Sequence, residues 1–299
     1  MQYHSEYDYL VQPPVLIGSG IIYVIVAVSL YKFMRSRPAF ELKIPMMIYN
    51  IAQVVVCAAM TAGLFNELRA GEPIQIPNTS FSVPNLFGLN TTFTKAAEFW
   101  VLVHYLSKFL DFFDTIFIAL RKKDRQMSFL HVYHHATIGP IWGLLLYLGY
   151  GGATACFGAC INSFTHVLMY THYFVSALGI RHPFKPLITS WQIFQFYSCI
   201  AHAVLCISPL ETVYPKYLAY VQFAYHLTMI VLFTSFFKKT YGADDKKKSK
   251  QQAATNGHAK TAVKAPATNG TDAAAAHDDG EHATNGNGKA VRRRRVATT

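Results

Sequence analysis

Charge is scarce in this chain. Only 14% of its 299 residues are Asp, Glu, Lys or Arg, acidic residues number 16 against 27 basic ones, and no Lys or Arg precedes Lys32. A soluble domain usually carries about 25% charged residues, so an ordinary water-exposed surface is excluded. The stretch Met1 to Pro14 lacks the basic start of a secretory signal. The first apolar run is therefore expected to remain as an uncleaved anchor. Cysteine is scarce too. Cys57, Cys156, Cys160, Cys199 and Cys206 lie in or beside apolar runs without metal-ligand spacing, which fits small buried hydrophobes rather than a disulfide or zinc framework. No nucleic-acid-binding module accompanies the net charge of +11.

What the chain has in quantity is hydrocarbon, at 52% hydrophobic residues. A helix needs about 20 apolar residues to cross a bilayer, and such runs occur at 15–34, 44–65, 97–120, 127–148, 152–175, 186–208 and 215–237. Pro45 and Pro186 mark the starts of the second and sixth. Lys and Arg in short loops are retained on the cytoplasmic side. Arg35, Arg37 and Lys43 follow the first run, Arg121, Lys122, Lys123 and Arg125 the third, Arg181 and Lys185 the fifth, and Lys238 and Lys239 the seventh. The N-terminus and the turn Gly149–Gly152 have none, and the loop after the sixth run has only Lys216. These positions predict an all-α integral membrane protein with seven transmembrane helices, a lumenal or external N-terminus and a cytosolic C-terminus. The sequons at Asn78 and Asn90 then lie on the non-cytosolic side, open to glycosylation. From 243 onward the chain is Lys, Ala, Asp, Asn, Gly and Thr, ending near Arg292–Arg295. That composition buries too little surface to fold. The expected division is a membrane domain over 1–242 and a disordered polar, basic cytosolic tail over 243–299.

Chemistry concentrates in Phe129-Leu-His131-Val-Tyr-His134-His135. On a helix, residues three and four apart are neighbours, so all three imidazoles are expected on one face, where a reactant or a metal meets them. Ionisable groups at membrane depth face an interior cavity rather than lipid. The same rule places His166 inside. Hydrogen-bonded core histidines are the plainer alternative. Lys108, Asp111 and Thr115 also fall on one helical face, as partners that orient a histidine or hold a polar ligand, or as a structural ion pair that fixes helix packing.

Four motifs occur in register: Lys108-x-x-Asp111-x-x-Asp114-Thr115, His131-x-x-His134-His135, His166-x-x-Met169-Tyr170 and Thr189-x-x-Gln192-x-x-Gln195. In order and spacing they resemble the ELO-type fatty acid elongases. The likeness runs from the first apolar run to the seventh and leaves out the tail. Two positions depart from it: Asp111 stands where the family more often has Glu, and His172 where it more often has Tyr. The resemblance implies an endoplasmic reticulum 3-ketoacyl-CoA synthase. It also implies seven helices, six of them forming an inverted barrel around a narrow acyl tunnel closed at its lumenal end. The implied reaction joins acyl-CoA to malonyl-CoA, giving 3-ketoacyl-CoA, carbon dioxide and CoA, with no redox cofactor and no metal. It further implies membrane lipid as surroundings, and as partners the ketoreductase, dehydratase and enoyl reductase of an elongation cycle. A homodimer is left open.

No cysteine lies beside the histidine box, and a neutral imidazole is a competent acyl acceptor. His134 is the expected nucleophile, with His131 and His135 orienting it or relaying protons. His166 is expected to bond the malonyl thioester oxygen as charge develops there. Asn162, Tyr170, Gln192 and Gln195, together with Asp111, Asp114, Thr115 and Met169 of the motifs, are expected to bind substrate. Lys108, Arg121, Lys122 and Lys123 stand where CoA phosphates approach from the cytosol, although a positive-inside loop looks the same. Asn162-Ser163 and Phe196 lean toward the polyunsaturated-acyl branch. The rival enzyme is a membrane di-iron desaturase or hydroxylase, which needs more histidine boxes than His166, His172 and His182 supply. A seven-helix receptor or transporter leaves the clustered histidines unexplained.

Overall fold

Proline and small polar residues decide where the helices start. Pro13 and Pro14 occupy the first turn of α1 (Pro13–Met34), where the missing N–H has no partner to lose. Pro45 and Pro186 stand likewise in the first turns of α2 (Lys43–Ala70) and α7 (Lys185–Ile207), so neither weakens its helix. The Thr94 hydroxyl accepts the Ala97 N–H at 3.0 Å and caps α3 (Lys95–Leu110), a contact worth about 1 kcal/mol. α4 (Phe112–Leu120), α5 (Phe129–Tyr147), α6 (Ala155–Ala177) and α8 (Lys216–Lys238) complete the set. A two-residue hairpin, β1 (Ile74–Gln75) against β2 (Ser82–Val83), pairs Ile74 with Val83 in the α2–α3 connection. The computed structural model describes residues 7–75, 80–91, 94–152, 154–180 and 183–238. The chain divides into two units, Met1–Asp245 and Lys246–Thr299, and every described residue belongs to the first. The Asn78 sequon and the tail from 243 lie outside the described residues.

A helix covers each of the seven predicted runs, with one difference: the third is two helices. α3 ends at Leu110 and α4 begins at Phe112, with Asp111 between them. α1, α2, α7 and α8 are long and apolar enough to cross a membrane. α3 and α4 fall short in length, at 16 and 9 residues, and α5 and α6 fall short in hydropathy because they carry the histidines of the motifs.

α2 packs along α6, α1 along α5, and α3 lies against α2, α5 and α6. Between lipid-immersed helices it is close packing and interhelical hydrogen bonds that hold the fold, rather than a flight from water. Leu64, Val101, Tyr105 and Ala159 fill the centre, with Met229 from α8. Ile17, Ile21 and Ile25 on α1 remain exposed, as lipid-facing residues would. The α1–α5 contact shows how local chemistry fixes packing. Pro140 lies inside α5 and has no N–H, so the Ala136 carbonyl four residues earlier loses its helical donor. Gly20 of α1 packs onto that oxygen so closely that a Cβ would approach it to 2.6 Å.

At the end of α5 remote from its histidines, the α7–α8 loop is clasped to the rest of the molecule. The Glu211 carboxylate is buried and accepts the N–H groups of Val213 (2.7 Å), Tyr214 (2.9 Å) and Asn90 (2.7 Å), with the Thr154 hydroxyl, which donates to the Gly88 carbonyl at 2.9 Å, 3.4 Å away. Lys216 donates to the carbonyls of Cys206, Ser208 and Glu211. Asn90 has φ 53°. Its side-chain oxygen accepts from Thr212 and its nitrogen donates to the Leu210 carbonyl, so the amide that would carry a glycan is engaged in the clasp.

Candidate active site

The Ser128 hydroxyl accepts the His131 N–H at 3.2 Å and starts α5 there, so the histidine box occupies the first two turns. The three rings do not share one face. His131 and His135 lie together, centroids 4.3 Å apart, while His134 and His135 are 5.6 Å apart at 77°. Helical angle alone, at about 100° per residue, leaves the three within about 100° of one another, and it is their partners, Thr115 for His131 and Tyr225 for His134, that divide them. The Nε2 of His131 is 2.8 Å from the Thr115 hydroxyl, which is 2.8 Å from that of Tyr23. The Tyr23 ring also stacks on His135 at 5.9 Å. His131 and His135 thus belong to a wall built with α1 and α4.

His134 turns the other way. It lines an apolar cavity, and it is the only member of the box that does. The cavity follows α5 past Ile138, Trp142 and Leu145, about 16 Å at 1.5 Å per residue, to Thr154 and Tyr214 beside the Glu211 clasp. Asn162 and Gln195 add polar atoms to its wall. The Nδ1 of His134 lies 3.3 Å from the Tyr225 hydroxyl on α8.

The α3–α4 junction carries a second polar cluster. Lys108, 2% exposed, donates from Nζ to Asp111 Oδ2 at 3.2 Å and to Asn162 Oδ1 at 3.0 Å. Asp111 Oδ1 accepts from Gln53 Nε2 at 2.8 Å and from the Tyr170 hydroxyl at 2.9 Å. That hydroxyl also lies 2.8 Å from Asp114 Oδ2, and the Tyr49 hydroxyl joins the group 3.2 Å from that of Tyr170. His166 Nδ1 stands 3.7 Å from Asp111 Oδ2 with no hydrogen-bond partner. The two readings of the Lys108–Asp111 pair therefore meet in one arrangement. The pair ties α3, α2 and α6 together, and through Asn162 it reaches the cavity.

The remaining predicted site residues are spread more widely. Gln192 donates to the Met169 sulfur at 3.0 Å. His172, two residues beyond Tyr170 and so across α6 from it, lies against Tyr173. Arg121 and Lys123 stand at the end of α4, while Lys122 spends its ammonium on the carbonyls of Arg35 (3.3 Å) and Arg37 (3.0 Å). That arrangement closes the C-terminal end of α1.

Four buried or half-buried side chains in this region escaped the reading of motifs: Tyr23, Tyr49, Gln53 and Tyr225. Tyr23 and Tyr225 are ordinary aromatics in apolar runs and carried no spacing signal. Gln53 did carry one, because a polar amide in the middle of an apolar run has to find partners inside.

An apolar cavity with a histidine at one end, and a buried Lys–Asp pair joined to its wall through Asn162, match the motif order already read. The profile of the ELO family, described as GNS1/SUR4, matches residues 9–252. The chain belongs to the ELO family of fatty acid elongases. It is 48% identical to fatty acid elongase 5 of Leishmania major over 237 residues, 79% of this chain and 89% of that protein. It is 40% identical to fatty acid elongase 4 of Trypanosoma brucei brucei, over 76% of this chain and 84% of that one. It is 32% identical to human very long chain fatty acid elongase 4, over 76% and 70%. Family membership and the apolar helices together make the chain a multi-pass membrane protein of fatty acid biosynthesis.

Proposed function

We propose that the chain is a 3-ketoacyl-CoA synthase that condenses a long-chain acyl-CoA with malonyl-CoA. The observation that carries this reading is the position of His134 at one end of a long apolar cavity. An acyl chain lying along Ile138, Trp142 and Leu145 brings its thioester to that imidazole. His134 attacks the thioester carbonyl, the C–S bond breaks, and CoA leaves as thiolate, which takes a proton from solvent, giving an acyl-imidazolium that keeps its own ring proton. Malonyl-CoA then loses carbon dioxide, and the electron pair of the broken C–C bond becomes a thioester enolate. The enolate carbon attacks the acyl-imidazolium carbonyl and expels the imidazole, leaving 3-ketoacyl-CoA. Decarboxylation supplies the carbanion, so the step draws on no redox cofactor.

In this reading His166, with its free Nδ1 beside Lys108 and Asp111, supports the enolate oxygen. Arg121 and Lys123 meet CoA phosphates. The same reading gives the chain seven spans, six of them around the cavity, with the box at the cytosolic face of the endoplasmic reticulum membrane and the N-terminus lumenal. A ketoreductase, a dehydratase and an enoyl reductase would consume the product in turn. Ser163, held at 3.0 Å from His104 Nδ1, and Phe196, which lines the cavity, accompany the lean toward polyunsaturated substrates. Feeding a panel of fatty acids to an elongase-deficient host resolves chain length and unsaturation.

Kinetics test the covalent step. Free CoA must leave before malonyl-CoA enters the same mouth, so double-reciprocal plots should be parallel. Acyl-CoA alone should release CoA and leave an acyl adduct on the His134 peptide. Intersecting plots with no CoA released until malonyl-CoA is added would make His134 a general base on a ternary complex.

A further inference from the structure

We propose that Tyr225 and Thr137 hold His134 as its Nδ1–H tautomer, which makes Nε2 the atom that carries the acyl group. The argument is a count of protons along one chain of hydrogen bonds. Thr137 Oγ1 lies 2.7 Å from the carbonyl oxygen of Tyr133 and 3.4 Å from that of His134. A carbonyl only accepts, so the single hydroxyl proton of Thr137 is spent there. The Tyr225 hydroxyl lies 3.2 Å from Thr137 Oγ1. With its own proton committed, Thr137 has only lone pairs to offer Tyr225, so the tyrosine donates to it. Tyr225 then has no proton left for His134. Its oxygen, 3.3 Å from Nδ1, accepts, and Nδ1 must be the donor. A neutral imidazole carries one proton, which leaves Nε2 with a bare lone pair.

The reverse arrangement, Tyr225 donating to Nδ1, would put the proton on Nε2 and remove its nucleophilicity. Tyr225 is thus a positioning residue. It lies about ninety residues from the box in sequence, on the last described helix, and its ring is buried against Tyr133 at 6.3 Å. The tautomer assignment stands on geometry alone, whereas its catalytic meaning rests on His134 being the acyl acceptor. The test separates the two.

Full-length protein labelled with ¹³C and ¹⁵N in histidine, compared with the same protein carrying His134→Ala, isolates the His134 signals. The ring ¹³Cδ2 and ¹⁵N shifts of wild type should report Nδ1–H. Shifts typical of Nε2–H would overturn the proposal whatever the kinetics show. Tyr225→Phe keeps the ring and removes the acceptor, so the tautomers should mix and kcat should fall on the order of 10- to 100-fold, the scale of a proton-positioning contribution, with KM little changed. Thr137→Val should do more harm than Tyr225→Phe, because it frees the tyrosine proton to donate to Nδ1 and selects the unreactive tautomer. Thr137→Ser should restore activity. The double variant Thr137→Val/Tyr225→Phe should be faster than Thr137→Val alone, a sign reversal that loss of packing does not produce. Equal losses in both single variants with an additive double would overturn the relay. Wild-type Nδ1–H signals with no CoA released from acyl-CoA alone would keep the tautomer and reject the acyl-histidine.

Discussion

The two ends of the cavity are both polar, and they are polar in opposite ways. At the Glu211 clasp three backbone N–H groups meet the carboxylate, and Lys216 meets three carbonyls. Among the described residues, the buried atoms without partners lie around the histidines and the Lys108 cluster and at Trp142 midway along the cavity: Asn50 Nδ2, His104 Nε2, His135 Nδ1, Trp142 Nε1 and His166 Nδ1. All of these lie on α2, α3, α5 and α6, and none belongs to the clasp. An unpartnered buried polar atom costs about 1–3 kcal/mol, so a fold that keeps several together forgoes stability at that place. The clasp is polarity finished by the fold, a closure. The histidine end is polarity that the fold leaves without partners.

Removing the groups that define each end is the strongest way to break this contrast. His134→Ala should reduce condensation to background, because the proposed acyl acceptor is gone, while the protein accumulates with an almost unchanged thermal midpoint. Activity near the wild-type level would move the chemistry to another residue. Asp111→Asn should be severe in both respects. It leaves the Lys108 ammonium buried without a counter-charge, and breaking such a pair costs about 3–5 kcal/mol. Its thermal midpoint should fall far below that of His134→Ala, and condensation should fall with it. If the midpoint stays at the wild-type value, the pair has no structural part and serves the substrate alone.

Glu211→Gln is the matching change at the clasp. The new amide would turn an NH₂ toward the N–H of Asn90 or toward those of Val213 and Tyr214, setting donor against donor. A loss of about 1–3 kcal/mol follows, read as a lower midpoint, with the rate per folded molecule close to wild type at subsaturating temperature stress. A collapse in rate at unchanged stability would make the clasp part of the chemistry and erase the distinction drawn here.

The sequence made the helices legible because apolar runs of the right length with basic ends leave little choice of element. It made the motif residues legible because their spacing repeats the helical period. The break at Asp111 was hidden, since the run continues unbroken through Phe112 and Phe113 and only a tertiary pull on Asp111 from Gln53, Tyr170 and Lys108 marks the joint. The turning of His134 away from His131 and His135 was also hidden. Spacing alone places i, i+3 and i+4 on one broad face, and it takes Thr115 on one side and Tyr225 on the other to divide that face. Tyr225 itself illustrates the general difficulty: a tyrosine in a membrane run reads as an ordinary aromatic until a distant helix brings it to a histidine.

The smallest expected effect is the coupling between the two ends. Gln53 bonds Asp111, Tyr49 and Tyr170, and Glu211 bonds Asn90, Val213 and Tyr214; the two sets share no residue. Substitutions at sites without shared partners add to within about 0.3–0.5 kcal/mol. Gln53→Leu should lower stability by removing donors from Asp111, and combining it with Glu211→Gln should lower the thermal midpoint by the sum of the single decrements. A coupling of 1 kcal/mol or more, of the size found between residues in one network, would mean that α5 and α6 transmit strain from the clasp to the histidines. The closure and the site would then be one cooperative polar network with its satisfied and unsatisfied atoms set against each other, and loosening the clasp should change the environment of His134 as well as the stability of the fold.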